Sequence, residues 1–499
     1  MTRGAGAARP QRDLVDGEWA RCAGELDLVL EDPATGLALG PAAATGEDRT
    51  ERALAAAEAA AGDWAARGDR ADLLDEIADA LEPVLADIVR LEATATGVPL
   101  RQTLPLGMIV TGSFRLAAAQ LRDGTTEVLR REDGRAVQVR RLPWGPALCL
   151  VPWNAPAPMA AHKAANALAA GCPVVLKPSE YAPHGTQVLA EAVAGALAAH
   201  GVPGGVFQLV HGDGTAGARL TGDPRIRAVS FTGGAAGGAS VAAACAAGLK
   251  PVQLELGGNN PLIVMPDADP GRAARAAVDL LTTLNGQWCR GLGRLILPAE
   301  IQDAVLDEVA RRLEALRAGP PLDDSDLGPL VHSRHRALVE GRRDALGGRV
   351  IAPTKVPAEG NYLAPALVTG VDPARATEEI FGPVATVHPY ATLDEAVALA
   401  NGTGYGLEGY VAGTDEDAAL AVAGRIRAGE VKVNGSSVMS LHLFAPRPAW
   451  GASGLGEEGT AETFRFFTNP QVVGVENAYA LHSRDDLHSA DDPHAGDDA

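Results

Sequence analysis

Between residues 147 and 258 the chain alternates short apolar runs with Ala-rich stretches, and Gly or Pro stands near most of the junctions. "ALCLVPW", "PVVLKP", "VFQLVHG", "AVSFTGG" and "PVQLELGG" read as buried strands. "PMAAHKAANALAAG", ending at Gly171, and "HGTQVLAEAVAGALAAHG", ending at Gly201, read as helices. A short helix follows the third strand, and another runs from Gly238 to Gly248. Strands this apolar, joined by helices through short turns, pack only as parallel βαβ units with helices on both faces. Such sheets bind ligands beyond the carboxyl ends of their strands. A second α/β stretch begins near Asn260 and holds "GRLILP", "YLAPALVTGV", "ATVHPYA" and "EVKVNG", with "LDEAVALANG" as a helix with a Gly stop. Residues 49–100 are Ala-rich and helical. Residues 125–142 read as a hairpin turning at Asp133-Gly134, long enough to need another surface to lie on.

At 499 residues the chain exceeds what one core serves, so two or three domains are expected. No secretory leader is expected at the N-terminus, and no apolar run is read as spanning a membrane. The 63 acidic against 43 basic residues leave a net charge of -20, which disfavours nucleic acid and anionic membrane as partners. Five scattered cysteines without a CxxC pattern argue against disulfides and a metal site, and suit a reducing cytoplasm. The last residues, 481–499, read as a solvated acidic tail; weak metal binding by His482, His488 and His494 is the sharper alternative.

Two glycine clusters invite a phosphate. "GDGTAG" (212–217) is a literal G-x-G-x-x-G, but it follows the third strand rather than the first, so packing or a minor contact is the better reading. "FTGGAAGG" (231–238) joins a strand to a helix, where backbone N–H groups and a helix N-terminus can face a phosphate. Polar groups stand at strand ends: Asn154 after "LVPW", Lys177 and Glu180 in "LKPSE", and Glu255 in "LELGG". Each alone is ordinary. Cys289, in "NGQWCRG", is by itself either a core thiol or a nucleophile.

Together, "PWN" (152–154), "KPSE" (177–180), "FTGG" (231–234), "ELGG" (255–258), "GQWC" (286–289) and "EEIFGPV" (378–384) resemble the aldehyde dehydrogenase superfamily, in its order, from about residue 15 to about 475. The resemblance implies an α/β fold with a Rossmann-like NAD-binding domain (1–120 and 144–254), an α/β catalytic domain (255–450) and small oligomerisation strands (121–143 and 465–480). It implies Cys289 as nucleophile, Asn154 as oxyanion donor and Glu255 as the base that releases a free acid, with Lys177 counted beside them. Passing the acyl group to coenzyme A, or a silent structural relative, are the alternatives; an intact Glu255 and the full set count against them. Cofactor contacts implied are Trp153, Lys177, Ser179, Glu180, Gly214, Gly217, Phe231, Gly233, Gly234, Leu256, Glu379 and Phe381. An acid at Glu180 favours NAD over NADP. Substrate-pocket residues implied are Ala155, Met159, His162, Trp288 and Arg290. Ala155 and His162 replace the family's bulkier aromatics and suggest a wide tunnel. "PAWGASGLGEEG" (448–459) lacks the usual lysine. Arg290 replaces a small residue; it is either a structural arginine on a surface acid, or a group that lowers the thiol pKa or grips a substrate carboxylate. The partners implied are a small aldehyde and further copies of the chain, as homodimer or homotetramer.

Overall fold

The computed structural model describes residues 9–476 except 133. The acidic tail, residues 1–8 and 477–480 of the expected domains, and Asp133 of the hairpin turn lie outside the described residues.

The strands anticipated between 147 and 258 form the middle of an eight-stranded sheet. Its order is Glu18–Arg21, Arg12–Val15, Phe207–Leu209, Val174–Lys177, Ala147–Leu150, Ala228–Thr232, Val252–Glu255, Gly454–Leu455. The five central strands are parallel and the edges antiparallel. From Ala147–Leu150 the chain steps outward through Val174 and Phe207, then returns to place Ala228–Thr232 on the other side. The order therefore reverses between Ala147–Leu150 and Ala228–Thr232, which puts the ligand crevice at their carboxyl ends. "GDGTAG" follows an outer strand, away from that reversal. Helix Pro156–Ala170 ends where Gly171 takes φ 93°, a conformation that glycine adopts without strain. The helix after "FTGG" starts at Ala235, three residues before the expected start at Gly238.

The second sheet has seven strands, in the order Arg349–Ile351, Ala366–Thr369, Val384–Tyr390, Leu292–Pro298, Asn260–Val264, Glu408–Ala412, Glu430–Val433. All its pairings are parallel except that of the first strand. Helix Pro270–Thr282 covers it, capped by the Asp269 carboxylate, which accepts from Arg272 N–H. Its buried stripe of Ala273, Ala277, Leu280 and Leu281 fixes where the chain leaves the helix. Each leucine so buried stabilises by roughly 1.5–3 kcal/mol.

The hairpin is Thr126–Arg130 with Ala136–Pro143, and Thr468–Gly474 pairs antiparallel with its second strand, Val472 opposite Val139. Val128, Leu129, Val472 and Val473 are exposed on this three-stranded sheet. One described helix, Leu100–Asp123, is long and apolar enough by length and composition alone to cross a membrane, a test that the core helix of a soluble protein also passes. It packs on helices Arg70–Leu81 and Pro156–Ala170, and its Arg115 and Arg122 pair with Asp79 and Asp72.

Candidate active site

Cys289 sits on a loop that the sequence bolts down residue by residue. Leu284, Asn285 and Gly286 all have positive φ, a strained run that only surrounding bonds can hold. Asn285 Nδ2 donates to the carbonyls of Gly97 and Pro329, and its Oδ1 accepts from Gly328 N–H. Gln287 Oε1 accepts from Val331 N–H. A Cβ on Gly286 would lie 2.3 Å from Pro383 N, so no other residue fits there. Beyond the cysteine, Asn260 Nδ2 donates to the carbonyls of Cys289 and Gly291 at 2.9 and 2.8 Å. "NGQ" is thus a clamp for the thiol's backbone. Asn285, Gln287 and Asn260 escape a search for reactive groups, because buried amides carry no charge signature.

"ELGG" brings the strand end against that loop. A Cβ on Gly258 would come within 2.5 Å of the Cys289 carbonyl, and one on Gly257 within 2.0 Å of Glu379 Oε2. Glu379 Oε1 accepts from Gly258 N–H at 2.9 Å. Asn154 Nδ2 donates to Gln287 O at 2.9 Å, which uses one of its two amide protons.

Arg290 departs from the reading that it faces the substrate. It is 2% exposed, with its guanidinium bonded to Glu255 Oε1 at 3.0 Å and Glu408 Oε2 at 2.7 Å; Glu430 Oε2 lies 3.6 Å away. Its own carbonyl accepts from Tyr410 OH. Three carboxylates and Lys432 enclose the group, so a substrate carboxylate cannot reach it. The structural alternative pairs it with buried acids, not with a surface acid.

The electrostatics follow from this burial. Burial pushes Glu255 up to about 7; the Arg290 charge opposes this and the Glu458 charge adds to it. Burial pushes the Cys289 thiol up to about 12, the Glu255 charge adds to the rise, and Arg290 opposes it. The resting cysteine is therefore a protonated thiol: Arg290 pulls in the expected direction without prevailing. Burial also pushes Glu379 up to about 7.

Behind Glu255 lies a buried polar chain that the sequence reading missed. Lys163 is 0% exposed, donates to Ser230 Oγ at 2.7 Å and stands 3.7 Å from Glu458 Oε1. Ser230 Oγ donates to Gln253 Oε1. A lysine inside the Ala-rich helix, among buried neighbours on every side, was its only trace.

The expected substrate-pocket residues divide. Trp288 packs in the apolar cluster with Val98 and Leu284, joined by half-buried Leu106, Val438 and Cys289. Ala155 lines a small cavity with Asn154, Leu106 and Glu92. Met159 packs on the core of the first sheet. His162 turns its Nε2 to Thr463 Oγ1 at 3.0 Å and stands 4.0 Å from Glu458.

The expected cofactor residues also divide. Trp153 meets Phe381 edge-on, with ring centroids 5.4 Å apart, and meets His335 likewise at 5.1 Å. His335 shares a hydrogen bond with the Phe381 carbonyl, an addition that no motif marks. Lys177 donates to Pro178 O and stands 3.9 Å from Glu180 Oε2. Burial lowers the Lys177 pKa, and the Glu180 and Asp213 charges oppose that shift. Ser179 Oγ accepts from Tyr181 N–H. A Cβ on Gly217 would make ordinary contact with Lys177 and Leu150, whereas Gly214 faces open space. Gly233 admits the Phe231 ring, and Gly238 admits Leu256. The two glycine clusters open their helices differently. Asp213 fills the N-terminus at "GDGTAG", accepting from Thr215 and Ala216 N–H. Helix Ala235–Ala247 starts at Gly234 with no side-chain cap, leaving its N–H groups open.

The sequence profile of the aldehyde dehydrogenase family matches residues 19–473. The chain belongs to that family. It is an NAD(P)-dependent aldehyde dehydrogenase, an enzyme that oxidises an aldehyde to the carboxylic acid. A 3-succinoylsemialdehyde-pyridine dehydrogenase of a Pseudomonas species is 34% identical over 476 residues, covering 92% of this chain and 97% of that one. Betaine aldehyde dehydrogenase from Staphylococcus aureus, solved with NAD+, superposes with a TM-score of 0.88 at 28% identity, covering 95% of this chain and 96% of that one. A putative aldehyde dehydrogenase from Burkholderia cenocepacia gives 0.86 at 32% identity, covering 93% and 99%.

Proposed function

We propose that this dehydrogenase uses NAD, with Cys289 as nucleophile, Asn154 as oxyanion donor and Glu255 as the base that hydrolyses the acyl-enzyme. One observation carries the assignment: the clamped Cys289 loop lies against the Glu255 strand end, with the Asn154 amide bonded to that same loop. The Cys289 thiol adds across the aldehyde C=O, its sulfur bonding to the carbon and its proton passing through water to the oxygen, which gives a thiohemiacetal. The Asn154 amide and the Cys289 backbone N–H receive the oxygen, each such donor being worth about 3 kcal/mol in catalysis. When bound, NAD supplies the two-electron acceptor. The open helix start at Gly234 would hold its phosphates, Lys177, Ser179 and Glu180 its adenosine ribose, and Glu379, Trp153 and Phe381 its nicotinamide end. Glu180 disfavours a 2′-phosphate. Oxidation of the adduct leaves a thioester on Cys289. Glu255 takes a proton from water, and the hydroxide cleaves the thioester. Arg290 anchors that base by its 3.0 Å bond, held from behind by Glu408.

The exposed valines and leucine of the sheet formed by 126–130, 136–143 and 468–474 support assembly through that surface as a homodimer or homotetramer. Five free cysteines suit a reducing cytoplasm. The experiment is NADH formation from an aldehyde panel by wild type, Cys289→Ala and Glu255→Gln. The reading expects no turnover from the first variant and, from the second, at most one NADH per site. Steady turnover by Cys289→Ala would sink it.

A further inference from the structure

One arginine near the reaction centre has a buried Nε that bonds to no group among the described residues. Arg447 lies on the short strand Arg447–Pro448, which pairs antiparallel with Glu457–Glu458, Arg447 opposite Glu458. The same ribbon continues to Gly454, which pairs with Glu255 itself. Arg447 thus stands over the strand that carries the base. Its charge reaches Cys289, Glu255, Glu458 and His162. Yet its Nε is buried with no hydrogen-bond partner, and no ion pair holds its guanidinium among the described residues.

The acids around it have other cationic neighbours, although Glu458 Oε1 is itself buried without a hydrogen bond. Glu255 is bonded to Arg290 at 3.0 Å. Glu458 faces Lys163 at 3.7 Å and His162 at 4.0 Å. Burial lowers the His162 pKa, the Glu458 charge opposing it. A buried donor left unmade costs about 1–3 kcal/mol, more for a charged group. A folded chain keeps such a group when something else completes it. The guanidinium's planar fork matches a carboxylate bidentately.

We propose that Arg447 forms an anion subsite beside Cys289 and receives the carboxylate of a short aldehyde acid, a semialdehyde. This rests on Cys289 as the reaction centre and names the substrate class of that site. The carboxylate binds at Arg447 while the aldehyde carbon at the other end of the chain meets the sulfur. The selectivity expected of Arg290 thus belongs to a residue 157 places further on, because Arg290 is spent on Glu255 and Glu408. Arg447 is a specificity residue: it takes no part in the covalent steps.

The test compares 4-oxobutanoate with its methyl ester, equal in reacting group and differing in charge. Wild type is expected to favour the acid by about tenfold or more in kcat/KM, as befits a charge-assisted contact. Arg447→Gln is expected to lose that preference, its acid-to-ester ratio of kcat/KM falling to about one whatever its rate on the ester, and Arg447→Lys to recover part of it. Equal rates on the two substrates, or equal losses in the variant, overturn the inference. A second measurement is independent of turnover: calorimetric binding of butanedioate to Cys289→Ala with NAD present, with and without Arg447→Gln. Binding that weakens about tenfold supports the subsite, and binding that is absent or unchanged rejects it. Failure of the catalytic reading looks different, since Cys289 then takes up no acyl group from either substrate.

Discussion

Replacing Arg290 by Met removes the guanidinium between Glu255 and Glu408 while keeping most of its volume. The bond to Glu255 is 3.0 Å long and both groups are buried. Unit charges about 4 Å apart interact by roughly 4 kcal/mol at an effective dielectric of ~20. Each 1.4 kcal/mol or so is one pKa unit. Losing Arg290 therefore raises the Glu255 carboxyl by on the order of two to three units above its present value of about 7. The sign is clear, because only the carboxylate form is a base: activity falls as pH drops below the carboxyl's pKa. Wild type should lose kcat below about pH 7. The variant should lose it already below pH 9 or so, with a deficit at pH 7 of about 100-fold or more that alkali restores. Acylation does not need Glu255 as a water-activating base, so a rapid burst of NADH should persist ahead of a slow steady state. Breaking a buried ion pair also costs roughly 3–5 kcal/mol of stability. Thermal melting and the Arg290→Met/Glu408→Gln double variant separate that loss from the pH effect. A uniform drop in kcat with an unmoved acid limb would falsify the positioning role of Arg290.

Three further outcomes follow from local geometry. Asp213→Ala should cost about 1 kcal/mol in thermal or urea unfolding, with KM for NAD unchanged, because that carboxylate caps a helix and faces no phosphate. Gly286→Ala forces a Cβ to 2.3 Å from Pro383 N at φ 72°, so it should destabilise by about 3 kcal/mol or more and displace Cys289, read as a lower melting point together with lost activity. Glu180→Gln should raise KM for NAD and narrow the preference over NADP by about tenfold, measured as the ratio of kcat/KM values.

The βαβ core was legible because period and punctuation agree there: five apolar runs became five parallel strands, and the Gly171 stop lies where the helix ends. The second sheet was legible only in part. Asn260–Val264 and Glu408–Ala412 carry Asn, Pro, Glu and Gly, which mask a strand that the sheet buries on both faces. The two-residue ribbon strands within 447–458 are too short to leave a local pattern, and those at 450–451 and 454–455 are set by pairing with Tyr405–Gly406 and Leu254–Glu255. At the site, Cys289, Glu255 and Asn154 were visible as reactive groups at strand ends or in a motif. What surrounds each was not, because the partners come from far along the chain: Glu408 for Arg290, Glu458 for Lys163, Gly97 for Asn285. For that reason Arg290 looked available to a substrate, and Arg447 drew no notice.

The most direct test of the account is the intact mass of Glu255→Gln after mixing with NAD and an aldehyde that wild type oxidises. The account predicts one acyl group per chain, mapped by peptide digestion to Cys289, persisting because its hydrolysis lacks a base. An unmodified protein that still turns over, or an acyl group on Cys22, Cys149, Cys172 or Cys245 instead, would contradict it.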